Sequence, residues 1–184
     1  MSVRSEYAVF LRGVNVGGIT VKMAALREAL SALPVEGVTT LLASGNVVLA
    51  TGLGAMELKS RVEQALRDAF GYDAWVIVLD RDEVRSLIDA CPYPADDAST
   101  HSYITLSSDP AALDELWDAT AGDGTDERTR LSPLATAWRC PKGSTLDSPM
   151  SKATAKPKFK ATTTTRNLRT LLKVQAAFPP EPAA

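Results

Sequence analysis

Two cysteines, one histidine and 6% aromatic residues are the scarcities that bound what this 184-residue chain can do. Cys91 and Cys140 are far apart and belong to no CxxC pair; two buried thiols in a reducing compartment are the expectation, with a disulfide as the alternative. His101, with no second histidine and no nearby cysteine, does not make a metal site, and its expected place is the end of a strand. No metal and no cofactor are expected. No apolar run approaches the ~20 residues of a membrane helix. Met1-Ser2-Val3-Arg4-Ser5-Glu6 lacks the apolar core of a signal peptide. A cytoplasmic protein with no membrane partner is therefore expected. The sequence assigns no oligomeric state.

Catalytic sets are equally scarce. There is no convincing carboxylate pair and no Ser/His/Asp set. Ser151 and Lys152 are adjacent, and adjacent side chains diverge on a helix or a strand, so they do not form a nucleophile–base pair. Gly13 and Gly18 have the outer spacing of a Walker A loop, but Ile19-Thr20 stands where Lys-Ser/Thr is required. Gly13, Gly17 and Gly18 also miss the GxGxxG of a dinucleotide fold. No reaction is assigned.

What the chain has is an ordinary globular composition, 45% apolar and 23% charged, and an uneven charge distribution. Residues 1–137 hold 11 Lys/Arg against 20 Asp/Glu, whereas residues 138–184 hold 9 against 2. A basic final quarter on a chain of net charge −2 suits an anionic partner; it suits equally a solvated surface that offsets the acidic helices upstream.

The periodicity is that of an α+β fold. Tyr7–Leu11 reads as a strand. Thr20 stands as N-cap of a helix from Val21 to about Leu33, with Met23, Leu26, Leu30 and Leu33 as its buried stripe. Val38–Ala43 and Val47–Thr51 form a hairpin around Ser44-Gly45-Asn46. A helix from Ala55 to Phe70 stops at Gly71, and Ala74–Leu79 is a strand. This β-α-β-β-α-β order is the ferredoxin-like arrangement, in which two one-faced helices cover one side of an antiparallel sheet. Asp80 and Glu83 form a capping pair for a helix to about Ala90.

A second, degenerate half follows: a strand at Ser102–Leu106, a helix opened by Asp109-Pro110, and a hairpin of Glu127–Leu131 with Ala135–Cys140. Thr162–Thr165 then lead into a last helix from Arg166 to Phe178, with Thr165 as its cap. The expected division is 1–79 for the first half, 80–100 for a helix and connector, 101–178 for the second half with its basic segment, and 179–184 for a disordered tail.

Three polar stretches can hold an anion. The first is the loop from Arg12 to Lys22, where Gly13, Gly17 and Gly18 free the backbone and Arg12, Asn15 and Lys22 rim it; a tight turn needing positive φ is the alternative. The second is Ser44-Gly45-Asn46, which a plain hairpin turn also explains. The third is Ser151-Lys152 together with Thr165-Arg166-Asn167. Cations in a first helical turn oppose the helix dipole, which an anion or a salt bridge to an upstream acid would offset.

Leu11-Arg12-Gly13-Val14-Asn15-Val16-Gly17-Gly18, Val21-Lys22-Met23, Leu26-Arg27 and Ser44-Gly45-Asn46-Val47-Val48 resemble an uncharacterised bacterial family, domain of unknown function 1697. Val76-Ile77-Val78, Pro92-Tyr93-Pro94, Ser151-Lys152 and Thr164-Thr165-Arg166-Asn167 fit its pattern in the same order. The resemblance implies two ferredoxin-like halves and no established activity, substrate or cofactor. Pro157 falls where the family is helical after Ser-Lys, which implies a short or irregular helix. Leu168 stands where the family tends to an aromatic residue. Because all the polar stretches belong to the family pattern, they are expected to converge on one concave site between the halves. There Arg12, Asn15, Asn46, Lys152 and Arg166 would donate to a phosphate-bearing ligand, a nucleotide or nucleic acid. An enzyme acting on a small anionic substrate, or a protein adaptor using the basic C-terminal surface, are the competing readings.

Overall fold

Alternation sets the first sheet. Tyr7, Val9 and Leu11 point to one face of strand β1 (Ser5–Arg12), where they meet Val47 and Leu49 of β3 (Asn46–Thr51) and Val76 of β4 (Trp75–Asp80). Helices α1 (Met23–Ser31) and α2 (Ala55–Phe70) close that face with Leu26, Leu30, Leu58, Val62 and Leu66. With β2 (Val35–Leu41) at one edge, the order is β2-β3-β1-β4, all antiparallel. In this computed structural model, residues 4–13, 20–122 and 127–180 are described.

The second sheet repeats the scheme with β5 (Thr100–Ser107), β6 (Glu127–Ser132), β7 (Ala135–Pro141) and β8 (Thr163–Asn167) in the order β6-β7-β5-β8, again antiparallel. Its core gathers Trp138 and Cys140 of β7, Leu113 and Leu116 of α4 (Pro110–Ala119), Met150 and Ala153 of α5 (Pro149–Thr154), and Phe159 of a 3-10 turn. The six-residue α5 and that turn, which starts at Pro157, stand where the first half has the sixteen-residue α2. The helix after Ser-Lys is thus short, because proline cannot continue it. The chain has an α+β fold of two ferredoxin-like halves.

By contacts, unit 1 is Met1–Arg85 with Leu172–Ala184, and unit 2 is Ser86–Leu171. The boundaries fall inside α3 (Arg81–Ala90) and α6 (Leu168–Ala177). Phe178 and Pro179 therefore belong to unit 1, where Arg81 lies 5.1 Å over the Phe178 ring and bonds the Pro179 carbonyl.

Local signals explain most boundaries. Gly71 ends α2 in the left-handed region at φ 67°. Asp80 and Glu83 exchange backbone–carboxylate hydrogen bonds at 2.8 Å each, a reciprocal cap for α3. Asp109 caps α4 by accepting from the Ala111 amide at 2.9 Å. Two expectations are corrected. Helix α1 starts at Met23 with Lys22, not Thr20, as N-cap, because Val21 is drawn into the core ahead of the helix. Thr165 does not cap a helix: Thr163–Asn167 form β8, paired with β5, as a β-branched run favours. Asn167 takes the capping role and accepts from the Arg169 amide at 2.9 Å.

The outer edge of β4 is blocked from within. Glu63 accepts from the Val76 amide at 3.1 Å, and Lys59 donates to the Val76 carbonyl at 2.6 Å while pairing with Glu63 at 2.5 Å. One i,i+4 pair of α2 thus occupies backbone groups that would otherwise invite another strand.

Candidate functional site

Strand direction decides which polar groups of unit 1 meet. β1 ends at Arg12, β3 begins at Asn46 opposite Phe10, and the Leu11 amide donates to the Gly45 carbonyl at 2.8 Å. The Ser44-Gly45-Asn46 turn and the start of the glycine loop therefore leave the sheet at the same end. β4 begins at that end too, with Trp75 opposite Arg12. The crossover from β1 brings the N-terminus of α1, and so Lys22, to this end as well. Asn15, Gly17 and Gly18 lie outside the described residues.

Arg12 alternates with Phe10 on the sheet face away from α1 and α2. Burial lowers its guanidinium pKa below the ordinary arginine value, since desolvation penalises the cation. Lys22 is exposed, at the extended N-cap of α1, with no side-chain cap of its own. At the same end, the Tyr72 hydroxyl is buried with no hydrogen-bond partner among the described residues, and desolvation raises its pKa above the usual phenol value.

Asn46 is a strand residue, 0% exposed, and its side-chain amide donates to the Leu41 carbonyl at 2.9 Å and to Ser44 Oγ at 3.0 Å. It fixes the turn from beneath. The turn carries a feature that sequence reasoning missed: Leu42, 44% exposed, sits at φ 59°, a conformation that costs a leucine about 1 kcal/mol relative to glycine. No composition signal announces it. Leu42→Gly is expected to raise the stability of unit 1 by roughly 0.5–1 kcal/mol in denaturant unfolding; a loss would show that the leucyl side chain, not its backbone, governs the position.

Unit 2 separates its candidates. The Ser151 amide donates to Ser148 Oγ at 3.1 Å, which caps α5, and Lys152 is exposed on that helix, 3.9 Å from Asp147. Thr165 lies on the helix-covered face of the sheet. Its hydroxyl is 2.8 Å from that of Thr105, which accepts from Trp138 Nε1 at 3.0 Å. Arg166, one residue on, therefore points to the opposite face. It is 7% exposed and donates to Thr164 Oγ1 at 2.7 Å and the Thr165 carbonyl at 3.0 Å. Arg169, in the first turn of α6, pairs with Asp96 at 2.8 Å. Lys152 and Arg166 thus occupy different faces of their own unit.

Cys140 is buried and Cys91 half-buried, and neither is in a disulfide. His101 lies in β5 opposite Cys140. Among the described residues, no group of three or more His, Cys, Asp or Glu is placed to hold a metal ion. Among them, too, no helix is long and apolar enough to cross a membrane.

The sequence profile of a family described as "Protein of unknown function (DUF1697)" matches residues 4–133. No curated protein matches the chain. Among solved structures, a conserved bacterial protein from Streptococcus pneumoniae superposes with a TM-score of 0.77 at 20% identity, over 95% of this chain and 99% of that one. That likeness concerns the fold alone. An unknown protein from Galdieria sulphuraria (13% identity, 95% of this chain and 89% of that one) has a TM-score of 0.28. A microcompartment protein from Desulfitobacterium hafniense (10% identity, 89% and 93%) has one of 0.29. Neither carries an argument.

Proposed function

The chain belongs to the DUF1697 family, and from that premise we propose that it binds a phosphate-bearing ligand, a nucleotide or nucleic acid, at the glycine-loop end of its first sheet. The observation that carries this reading is the Leu11–Gly45 hydrogen bond, which brings the Ser44 turn to the end of β1 where Arg12 stands. Arg12 bears a desolvation penalty, and an anion within reach would relieve it. Lys22 adds a second cation at the N-terminus of α1, where the helix dipole also favours negative charge. Ser44 offers a hydroxyl held in place from below by Asn46.

The test is a thermal-shift series with nucleoside mono- and triphosphates, inorganic pyrophosphate and a short oligonucleotide. At a ligand concentration near 100 times Kd, mass action stabilises the native state by about 2.7 kcal/mol. In a chain of this length that is a rise of roughly 5–10 °C. The paired substitutions Arg12→Ala and Lys22→Ala should remove most of it. No shift with any probe, or a shift undiminished in the double variant, would refute the reading. Arg166→Ala, measured alongside, reports whether unit 2 contributes to the same affinity.

A further inference from the structure

The stretch 142–160 of unit 2 carries Lys142, Lys152, Lys156, Lys158 and Lys160 against a single acid, Asp147. All five lysines belong to exposed residues. Two have local partners: Lys158 pairs with Glu115 of α4, and Lys152 is 3.9 Å from Asp147. Among the described residues, no ion pair engages Lys142, Lys156 or Lys160.

These lysines are not on a frayed tail. Met150, Ala153 and Phe159 are buried in the unit 2 core. Ser148 Oγ caps α5, and Thr154 and Thr163 hydroxyls donate at 2.9 Å to the carbonyls of Met150 and Phe159. The charges are therefore presented on an ordered backbone, so binding need order only the lysine side chains and not the segment that carries them. They concentrate on a chain that is acidic elsewhere, with 20 Asp/Glu to 11 Lys/Arg before residue 138.

We propose that this lysine-rich stretch from Lys142 to Lys160, with Lys152 on α5 and Lys158 on the following 3-10 turn, docks on the sugar-phosphate backbone of a nucleic-acid duplex, without reading its sequence. The composition selects the partner. Single-strand binders need exposed aromatic platforms on which bases stack. The one aromatic residue in the strip, Phe159, is buried, with Lys158 Nζ 5.0 Å from its ring centre. A bilayer surface needs apolar side chains to insert. Of the large apolar residues here, Met150 and Phe159 are buried and only Leu146 is exposed, at 85%. Ammonium groups act as point charges toward phosphate and lack the rigid planar fork of a guanidinium. The inference stands independently of the proposed site on sheet 1.

The experiment is fluorescence anisotropy of a labelled duplex of about two helical turns between 50 and 200 mM salt. Four to five phosphate contacts give a slope of roughly −3.6 to −4.5 in log K against log salt, a loss of affinity of at least about a hundredfold over that range. The variant Lys142→Gln/Lys152→Gln/Lys156→Gln/Lys160→Gln alters only exposed side chains and should keep the parent melting temperature. Its affinity should fall at least tenfold at 50 mM salt, and its slope should flatten toward zero. Absence of duplex binding at 50 mM salt, or an unchanged slope in the variant, would overturn the proposal. So would duplex affinity that falls with Arg12→Ala/Lys22→Ala but not with the lysine variant, or lysine-dependent binding to anionic vesicles in place of the duplex.

Discussion

Asn46→Ala is expected to destabilise unit 1 by about 2–3 kcal/mol, far more than an ordinary turn substitution, as read by the shift of the denaturant midpoint. Asn46 is 0% exposed, and its amide bonds both the Leu41 carbonyl and Ser44 Oγ. Truncation leaves the half-buried Leu41 carbonyl without this donor and a small cavity beneath the turn. Asn46→Asp separates the two causes. It keeps the volume but cannot donate when ionised, so it should cost at least as much as alanine. Ser44→Ala, which removes an exposed hydroxyl and leaves Asn46 its bond to Leu41, should cost less, under about 1.5 kcal/mol. If Asn46→Asp were neutral, the hydrogen bonds would not be what holds the turn. The ligand response should weaken with Asn46→Ala in proportion to the loosened turn, since Asn46 acts here through Ser44.

Trp138→Ala should have the largest effect in unit 2, a loss of about 3–5 kcal/mol. The indole is 1% exposed, stacks on Tyr103 at 4.6 Å between centroids, and packs with Leu113, Leu116, Met150 and Phe159. It is also the head of a polar chain, donating to Thr105 Oγ1, which is bonded in turn to Thr165. Trp138→Phe keeps most of the volume and leaves the Thr105 hydroxyl with Thr165 as partner, so it should cost about 1–2 kcal/mol. Amide exchange read across β5, β7 and β8 gives the location. These strands share the Trp138–Thr105–Thr165 contacts, and their protection should fall together. Loss of protection confined to β7 would contradict a shared core.

The last helix shows where sequence reading meets its limit. The four threonines at 162–165 precede an apolar helical stripe, and both a cap and a strand are compatible with them. Strand β8 wins because β5 offers a free edge for Thr163–Asn167 to pair with, a partner more than fifty residues away that no local window contains. Arg166 thereby moves from a first helical turn, where its charge would oppose the dipole, to a strand face where threonine and backbone oxygens receive it. The same holds for Asn46. Gly45-Asn46 reads as a turn, yet pairing with Phe10 makes Asn46 the first residue of β3 and buries it.

The sequence by itself determined the elements whose signals are local: the full span of α2 with its glycine stop, the reciprocal cap of α3, the Asp109-Pro110 start of α4, and the order that defines a ferredoxin-like half. It also determined the contrast between an acidic body and a basic final quarter, because charge is counted and not folded. Tertiary structure alone decided which polar residues share an end or a face. Strand direction put the Ser44 turn beside Arg12. The alternation of β8 sent Thr165 inward to Thr105 and Arg166 the other way, while Lys152 stayed on α5. Those outcomes depend on pairing register and sheet face. A one-residue shift would reverse them, and no spacing along the chain fixes a shift of that kind.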